Sequence, residues 1–127
     1  MTGWFGRGSR LAAALAWTGV MIAASSIRRI PREAVPLLHY DKLLHLAEYG
    51  LFAWLWGRVL LAFRPGASRA VLWVAVTLAG LAWGGFDEWY QGFFGRSQDV
   101  NDWIADGVGA AAGAGLALLG GRGKESD

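Results

Sequence analysis

The sequence predicts an all-α membrane protein, a small polytopic bundle of four transmembrane helices. Three observations lead there. Of the 127 residues, 54% are hydrophobic and only 17% charged, whereas soluble domains carry about 25% charged residues. Four apolar runs each approach the ~20 residues that cross the hydrocarbon of a bilayer. The chain also holds 19 Gly and 8 Trp, residues favoured in membrane helices and at bilayer interfaces respectively. The ten-residue alternation of a barrel strand is absent, which leaves helices as the spanning element.

The first run, residues 11–27, contains no charge. Arg7 and Arg10 ahead of it and Ala23-Ala24-Ser25 near its end also fit a secretory signal peptide. The run is longer than the ~7–15 residues of a signal core, however, and retaining it gives an even number of crossings. A connection with Pro31 and Pro36 follows. The second run, residues 43–63, carries His45, Glu48 and Arg58 near its ends. Arg64-Pro65-Gly66 make a short turn. The third run, residues 70–86, is uncharged, and the fourth, residues 103–121, is interrupted only by Asp106. Residues beyond Gly121 read as a polar tail. The expectation is one domain over residues 1–127.

Lys and Arg divide unevenly between the two sides of such a bundle. Arg7, Arg10, Arg58, Arg64, Arg69, Arg122 and Lys124 fall on the side of the termini, against Arg28, Arg29, Arg32, Lys42 and Arg96 opposite. The positive-inside rule then places both termini in the cytoplasm of a bacterial inner membrane. The sequence pI is about 9.4, but the basic residues flank apolar runs and form no basic stripe, so nucleic acid is not an expected partner. Without cysteine the chain has no disulfide, thiolate metal site or cysteine nucleophile.

The acidic residues gather on the side away from the termini, in two clusters. Asp41, Lys42, His45 and Glu48 stand at the head of the second run, with Asp41, His45 and Glu48 spaced i, i+4, i+7 on one helical face. Asp41 in a first turn favours the positive end of the helix dipole. Asp87, Glu88, Gln91, Arg96, Asp99, Asp102 and Asp106 lie between the third and fourth runs. Asp99, Asp102 and Asp106 share a face if the last helix starts near Asp99, and Asp102 is alternatively its N-cap. Ionisable groups at membrane depth are costly and mark a functional site. The bland alternatives are capping for Asp41, snorkelling for Lys42 and interhelical hydrogen bonding for His45 and Asp106.

A four-helix bundle brings the clusters together across about one helix diameter, ~10 Å. The expected result is a polar pocket. His45 with Asp41 or Glu48 forms a candidate proton-handling set. Asp87, Glu88, Asp99 and Asp102 are candidate ligands for a divalent cation, since oxygen-rich sets suit Mg²⁺, Ca²⁺ or Mn²⁺. Lys42, Tyr49, Gln91, Arg96 and Asp106 are candidate substrate contacts, with Lys42 and Arg96 able to hold a phosphate or carboxylate. No HExxH or P-loop motif fixes a reaction. Small residues continue into the fourth run: Gly109 and Gly113 form one stripe, and Gly107, Ala111 and Gly115 another. They predict close packing of that helix within its own bundle, with dimerisation the alternative. The uncharged aromatic segment 89–95 reads as a loop, either an interfacial anchor or a lip over the pocket.

The segments Asp41-Lys42-Leu43-Leu44-His45 with Tyr49, Asp87-Glu88-Trp89-Tyr90-Gln91, and Gly95-Arg96 with Asp99, Asp102, Asp106, Gly109 and Gly113 resemble the VanZ-like membrane proteins. The likeness runs from about residue 41 to residue 113, in the order DKxxH, DExxQ, Arg, then DxxxN or DxxxD. At the position of Asp106 many members carry Asn. The resemblance implies a bacterial membrane protein and links it to low-level resistance to the glycopeptide teicoplanin. It implies no settled reaction. The expected function is binding or processing of a cell-envelope lipid or lipid-linked headgroup at the outer leaflet. The alternatives are a small ion or proton transporter and an accessory membrane subunit.

Overall fold

The computed structural model describes residues 3–26, 41–94 and 100–119. Four helices run through them: α1 (Gly3–Ser25), α2 (Asp41–Phe63), α3 (Arg69–Gln91) and α4 (Val100–Leu118). There is no strand among the described residues, and a small helical bundle is the architecture. A helix of 23 residues such as α2 is about 34 Å long, enough to cross a hydrocarbon core of about 30 Å.

The helix ends follow local chemistry. Arg64 N–H donates to Leu60 carbonyl oxygen and Ala67 N–H to that of Arg64, so the Arg64-Pro65-Gly66 segment turns the chain as its composition predicts. Ser68 caps α3, its hydroxyl accepting from Val71 N–H, which satisfies a donor that a helix start leaves open. Two helices run beyond the apolar runs that they contain. α1 begins at Gly3 and not at residue 11, because Arg7 and Arg10 sit in the helix; Arg10 Nη1 reaches across to the Arg58 carbonyl oxygen of α2. α3 continues to Gln91, and a 3₁₀ turn, Gly92–Phe94, follows it. Most of the aromatic segment is therefore helical and not a loop. Trp89 and Phe93 are exposed there and meet edge to face at 5.0 Å.

α2 packs most extensively on α4, and α4 also packs along α3. α2 and α4 run parallel, because the contacts climb both helices together. A Cβ at Gly109 would collide with the Leu46 carbonyl, one at Gly113 with the Gly50 carbonyl, and one at Gly57 would stand 3.0 Å from Ala117 Cβ. The second small stripe faces α3: Gly107 lies on Leu81, and the Ala111 carbonyl accepts from Trp73 Nε1 at 2.9 Å. Both stripes are thus used within the chain, one on each neighbour. Small residues give helices in lipid the close approach that aliphatic bulk would deny them. Beneath the polar end, Ala53, Leu72, Val76, Ala110, Ala114, Ala117 and Leu118 form the apolar core.

Tryptophan ties the helices together through its ring nitrogen. Trp17 Nε1 donates to the Glu48 carbonyl oxygen, Trp103 Nε1 to that of Leu81, and Trp56 Nε1 to Thr18 Oγ1. Each of these bonds joins two helices, which suits a medium with no water to serve an indole N–H.

The outer surface is apolar. Leu43, Val71, Leu78, Val108 and Leu116 are all more than half exposed. Lys42–Phe63 and Arg69–Tyr90 are long and apolar enough to cross a membrane, and only 28% of each such window is buried inside the bundle. A core helix of a soluble protein would be mostly buried. Two long apolar helices that present most of their length outward fit lipid as the surrounding solvent.

Candidate functional site

The site is built at the end of the bundle where α2 and α4 begin and α1 and α3 finish. α2 supplies Lys42, His45 and Tyr49 there. His45 and Tyr49 are one turn apart, and their rings lie parallel with centroids 6.5 Å apart. α4 supplies Asp102 from its first turn, and Asp106 one turn deeper. Because α4 starts at Val100, Asp102 is inside the helix and is not its N-cap. Its carboxylate is still near the N-terminus, where the helix dipole favours negative charge. The glycine contacts below, at Leu46 and Gly50, bring the α2 and α4 backbones close enough for these short side chains to meet.

His45 bridges the two aspartates. Its Nδ1 shares a hydrogen bond of 2.6 Å with Asp106 Oδ1, and its Nε2 lies 3.7 Å from Asp102 Oδ2, an electrostatic approach longer than a hydrogen bond. Lys42 Nζ reaches Asp102 Oδ1 at 3.5 Å. That pair is long and its ammonium is more than half exposed, so it adds little stability. Side-chain exposure rises along this row, from 0% at Asp106 through 9% at His45 and 13% at Asp102 to 56% at Lys42. A line of ionisable groups therefore leads from the sealed interior to the surface.

A second network lies beside it. Asp87, on α3, accepts from Tyr49 OH at 3.1 Å and from Ser25 Oγ of α1. Ser26 and Tyr90 share a hydrogen bond of 2.8 Å. Glu88, the next residue of α3, is buried and turned toward the first row: one donor atom each from His45, Glu88 and Asp106 lie within 4.8 Å of one another. Asp106 Oδ2 is sealed and has no hydrogen-bond partner among the described residues. It faces Gly84, where a Cβ would stand 2.8 Å away. All four helices thus contribute a side chain to this end.

Of the residues singled out from sequence, the structure brings together Lys42, His45, Tyr49, Asp87, Glu88, Asp102 and Asp106. Glu48 is half-buried one turn along α2, and its carbonyl accepts from Trp17 on α1. Asp41 opens α2 and Gln91 closes α3, but their side chains lie outside the described set. Arg96 and Asp99 lie outside the described residues. Ser25 escaped the sequence reading as a site residue. Its only signal was a hydroxyl at the end of an apolar run, on the same side as the carboxylates. Gly84 was equally silent, since a lone glycine does not announce that a carboxylate faces it.

No curated protein matches this chain, and no solved structure does. The family model of VanZ/LLP1 matches residues 8–120. With two candidate membrane spans and that match over most of its length, this chain is a membrane protein that belongs to the VanZ/LLP1 family.

Proposed function

We propose that this VanZ/LLP1 protein binds, and on binding positions for reaction, the headgroup of a cell-envelope lipid or lipid-linked intermediate at the outer leaflet of a bacterial inner membrane. In this reading all four helices cross the membrane, both termini are cytoplasmic, and the end carrying Lys42 is extracytoplasmic. The observation that carries it is the graded row Asp106, His45, Asp102, Lys42, fixed by contacts between α2 and α4. Lys42 stands at its exposed end, where a cation on a long stem can meet an anionic headgroup. His45 is held by Asp106 with its other ring nitrogen toward Asp102 and the surface, an orientation suited to exchanging a proton with a bound group.

Purification in mild detergent followed by mass spectrometry of co-purified lipid tests this reading. The wild type should retain one envelope lipid species, which Lys42→Ala and His45→Ala should lose at unchanged folding. Retention of the same lipids by all three proteins would overturn it. The family's link to teicoplanin gives a cellular counterpart: expression should raise tolerance to teicoplanin, and the His45→Ala protein should not.

One observation favours a second reading, in which the same row conducts protons. It climbs from 0% to 56% exposure with one gap of 3.7 Å, between His45 and Asp102, and carboxylates and imidazoles are what proton relays use. Proteoliposome flux separates the two. Proton uptake abolished by Asp106→Asn favours conduction, and the absence of uptake favours the headgroup site.

A further inference from the structure

We infer that His45, Glu88 and Asp106 form a site for one divalent transition-metal ion of the Zn²⁺ class. The inference goes beyond the headgroup reading and stands without it, since the metal site lies at the buried end of the row and Lys42 takes no part.

Three helices deliver the donors: His45 from α2, Glu88 from α3 and Asp106 from α4. All three side chains are buried, and their nearest donor atoms lie within 4.8 Å of one another. Donors bound at about 2.1 Å around one ion stand about 3.0–3.4 Å apart, so the set already stands near coordination spacing. A second, independent feature points the same way. Asp106 Oδ1 takes the His45 hydrogen bond, yet Oδ2 of this fully buried carboxylate has no hydrogen-bond partner among the described residues. Leaving such an atom bare costs about 1–3 kcal/mol. That oxygen faces α3 at Gly84, one turn from Glu88 and on the same face. The missing Cβ of Gly84 is what lets the carboxylate lie this close to α3.

Charge and ligand chemistry name the ion. Two carboxylates converge where lipid and protein exclude water, and a dication neutralises both. A set of oxygens alone would suit Mg²⁺ or Ca²⁺, but an imidazole with two carboxylates suits Zn²⁺, Mn²⁺ or Fe²⁺. Three protein ligands leave a coordination position open for water or for an oxygen of a bound group, as in catalytic zinc sites. The donor set differs from the sequence expectation. Asp87 is engaged by Tyr49 and Ser25, and Asp102 by Lys42.

The test uses the full chain in detergent, freed of metal by chelator, dialysed against Zn²⁺ and analysed for metal per chain. One Zn²⁺ per chain is expected. Glu88→Gln and Asp106→Asn should each weaken binding at least about tenfold, while Arg58→Gln, at the opposite end, keeps the wild-type affinity. Zinc well below one per chain, or binding that neither substitution weakens, overturns the site. Titration of the wild type with Co²⁺ decides the matter if either variant fails to fold. Saturation at one ion with visible d–d absorption supports the site, and a featureless spectrum overturns it. Lipid retention is measured on the same samples, so loss of the metal site and loss of the headgroup reading give different results.

Discussion

The two ends of this bundle handle charge in opposite ways. At one end, Asp87, Asp102, Asp106 and His45 are turned into the contacts between helices. At the other, arginines lie along the surface: Arg58 over the Trp54 ring at 4.7 Å, Arg7 over the Phe63 ring at 5.7 Å, and Arg69 donating to the Leu118 carbonyl oxygen at 2.9 Å. An open cleft of about 250 Å³, lined by Ser9, Arg10, Ala13, Trp54, Leu55 and Arg58, sits at that second end. Side-chain length accounts for the difference. A guanidinium on a long stem reaches headgroup level from within a span and keeps its hydration. An aspartate one turn inside a helix stays where its Cβ points, so it is satisfied by another helix or not at all. Charge at the arginine end can therefore reach outward along the bundle, while charge at the carboxylate end depends on how the helices pack.

The helix contacts differ in the same sense. Near the carboxylate end α2 and α4 touch backbone to backbone, since a Cβ on Gly109 would overlap the Leu46 carbonyl. Toward the arginine end the contact passes through side chains, with Ala117 Cβ 3.0 Å and Leu118 Cγ 3.6 Å from where a Gly57 Cβ would be. One added methyl should therefore break the two ends unequally. Gly109→Ala has only backbone to push against, and a cost of about 3 kcal/mol is expected, the upper part of the usual range for overpacking. It should also separate His45 from Asp106. Gly57→Ala meets the Ala117 methyl at 3.0 Å, a crowding that a shift of a few tenths of an ångström relieves, and about 1 kcal/mol is expected. Folded yield and thermal unfolding in detergent measure both. Equal losses would mean that the helices are no closer at one end than at the other.

The comparison sharpens at Asp87, where three helices meet. Tyr49→Phe and Ser25→Ala each remove one donor to this carboxylate and leave the packing nearly unchanged. Interhelical hydrogen bonds in membrane proteins are worth about 0.6 kcal/mol on average and up to about 1.7. Each substitution should cost about 1 kcal/mol, and the double variant should differ from the sum because both donors serve one acceptor. Strict additivity of unfolding free energies would show that α1 and α2 do not cooperate through Asp87.

Much of this was legible in the sequence, and the failures have physical causes. Four apolar runs gave four helices, and the spacing of Gly109 and Gly113 gave the α4 seam. α1 and α3 run past their apolar runs because charge need not end a helix. Arg7 and Arg10 tolerate a helix that leaves the apolar run, and Asp87 and Glu88 tolerate one because they turn inward. Helical periodicity grouped His45 with Asp41 and Glu48, residues of its own helix. The partners that hold His45 in the structure are Asp106 and Asp102, about 60 residues away in the chain. Packing creates such pairs, and periodicity within one helix carries no record of them. Ser25 stayed hidden for the same reason, since its role exists only once α1 lies against α3.

The smallest effect is expected at the arginine end. Arg58→Gln removes the cation above Trp54 and leaves a side chain of related shape. A cation–π contact at a half-buried arginine is worth about 1 kcal/mol, and the Arg58 carbonyl that accepts from Arg10 Nη1 belongs to the backbone and survives the change. The unfolding midpoint should shift slightly, with bound lipid and bound Zn²⁺ both unchanged. If Arg58→Gln instead released the lipid while His45→Ala retained it, the headgroup would lie in the cleft between α1 and α2. The carboxylate end would then be a structural device that locks helix ends together, and the division of labour between the two ends would be reversed.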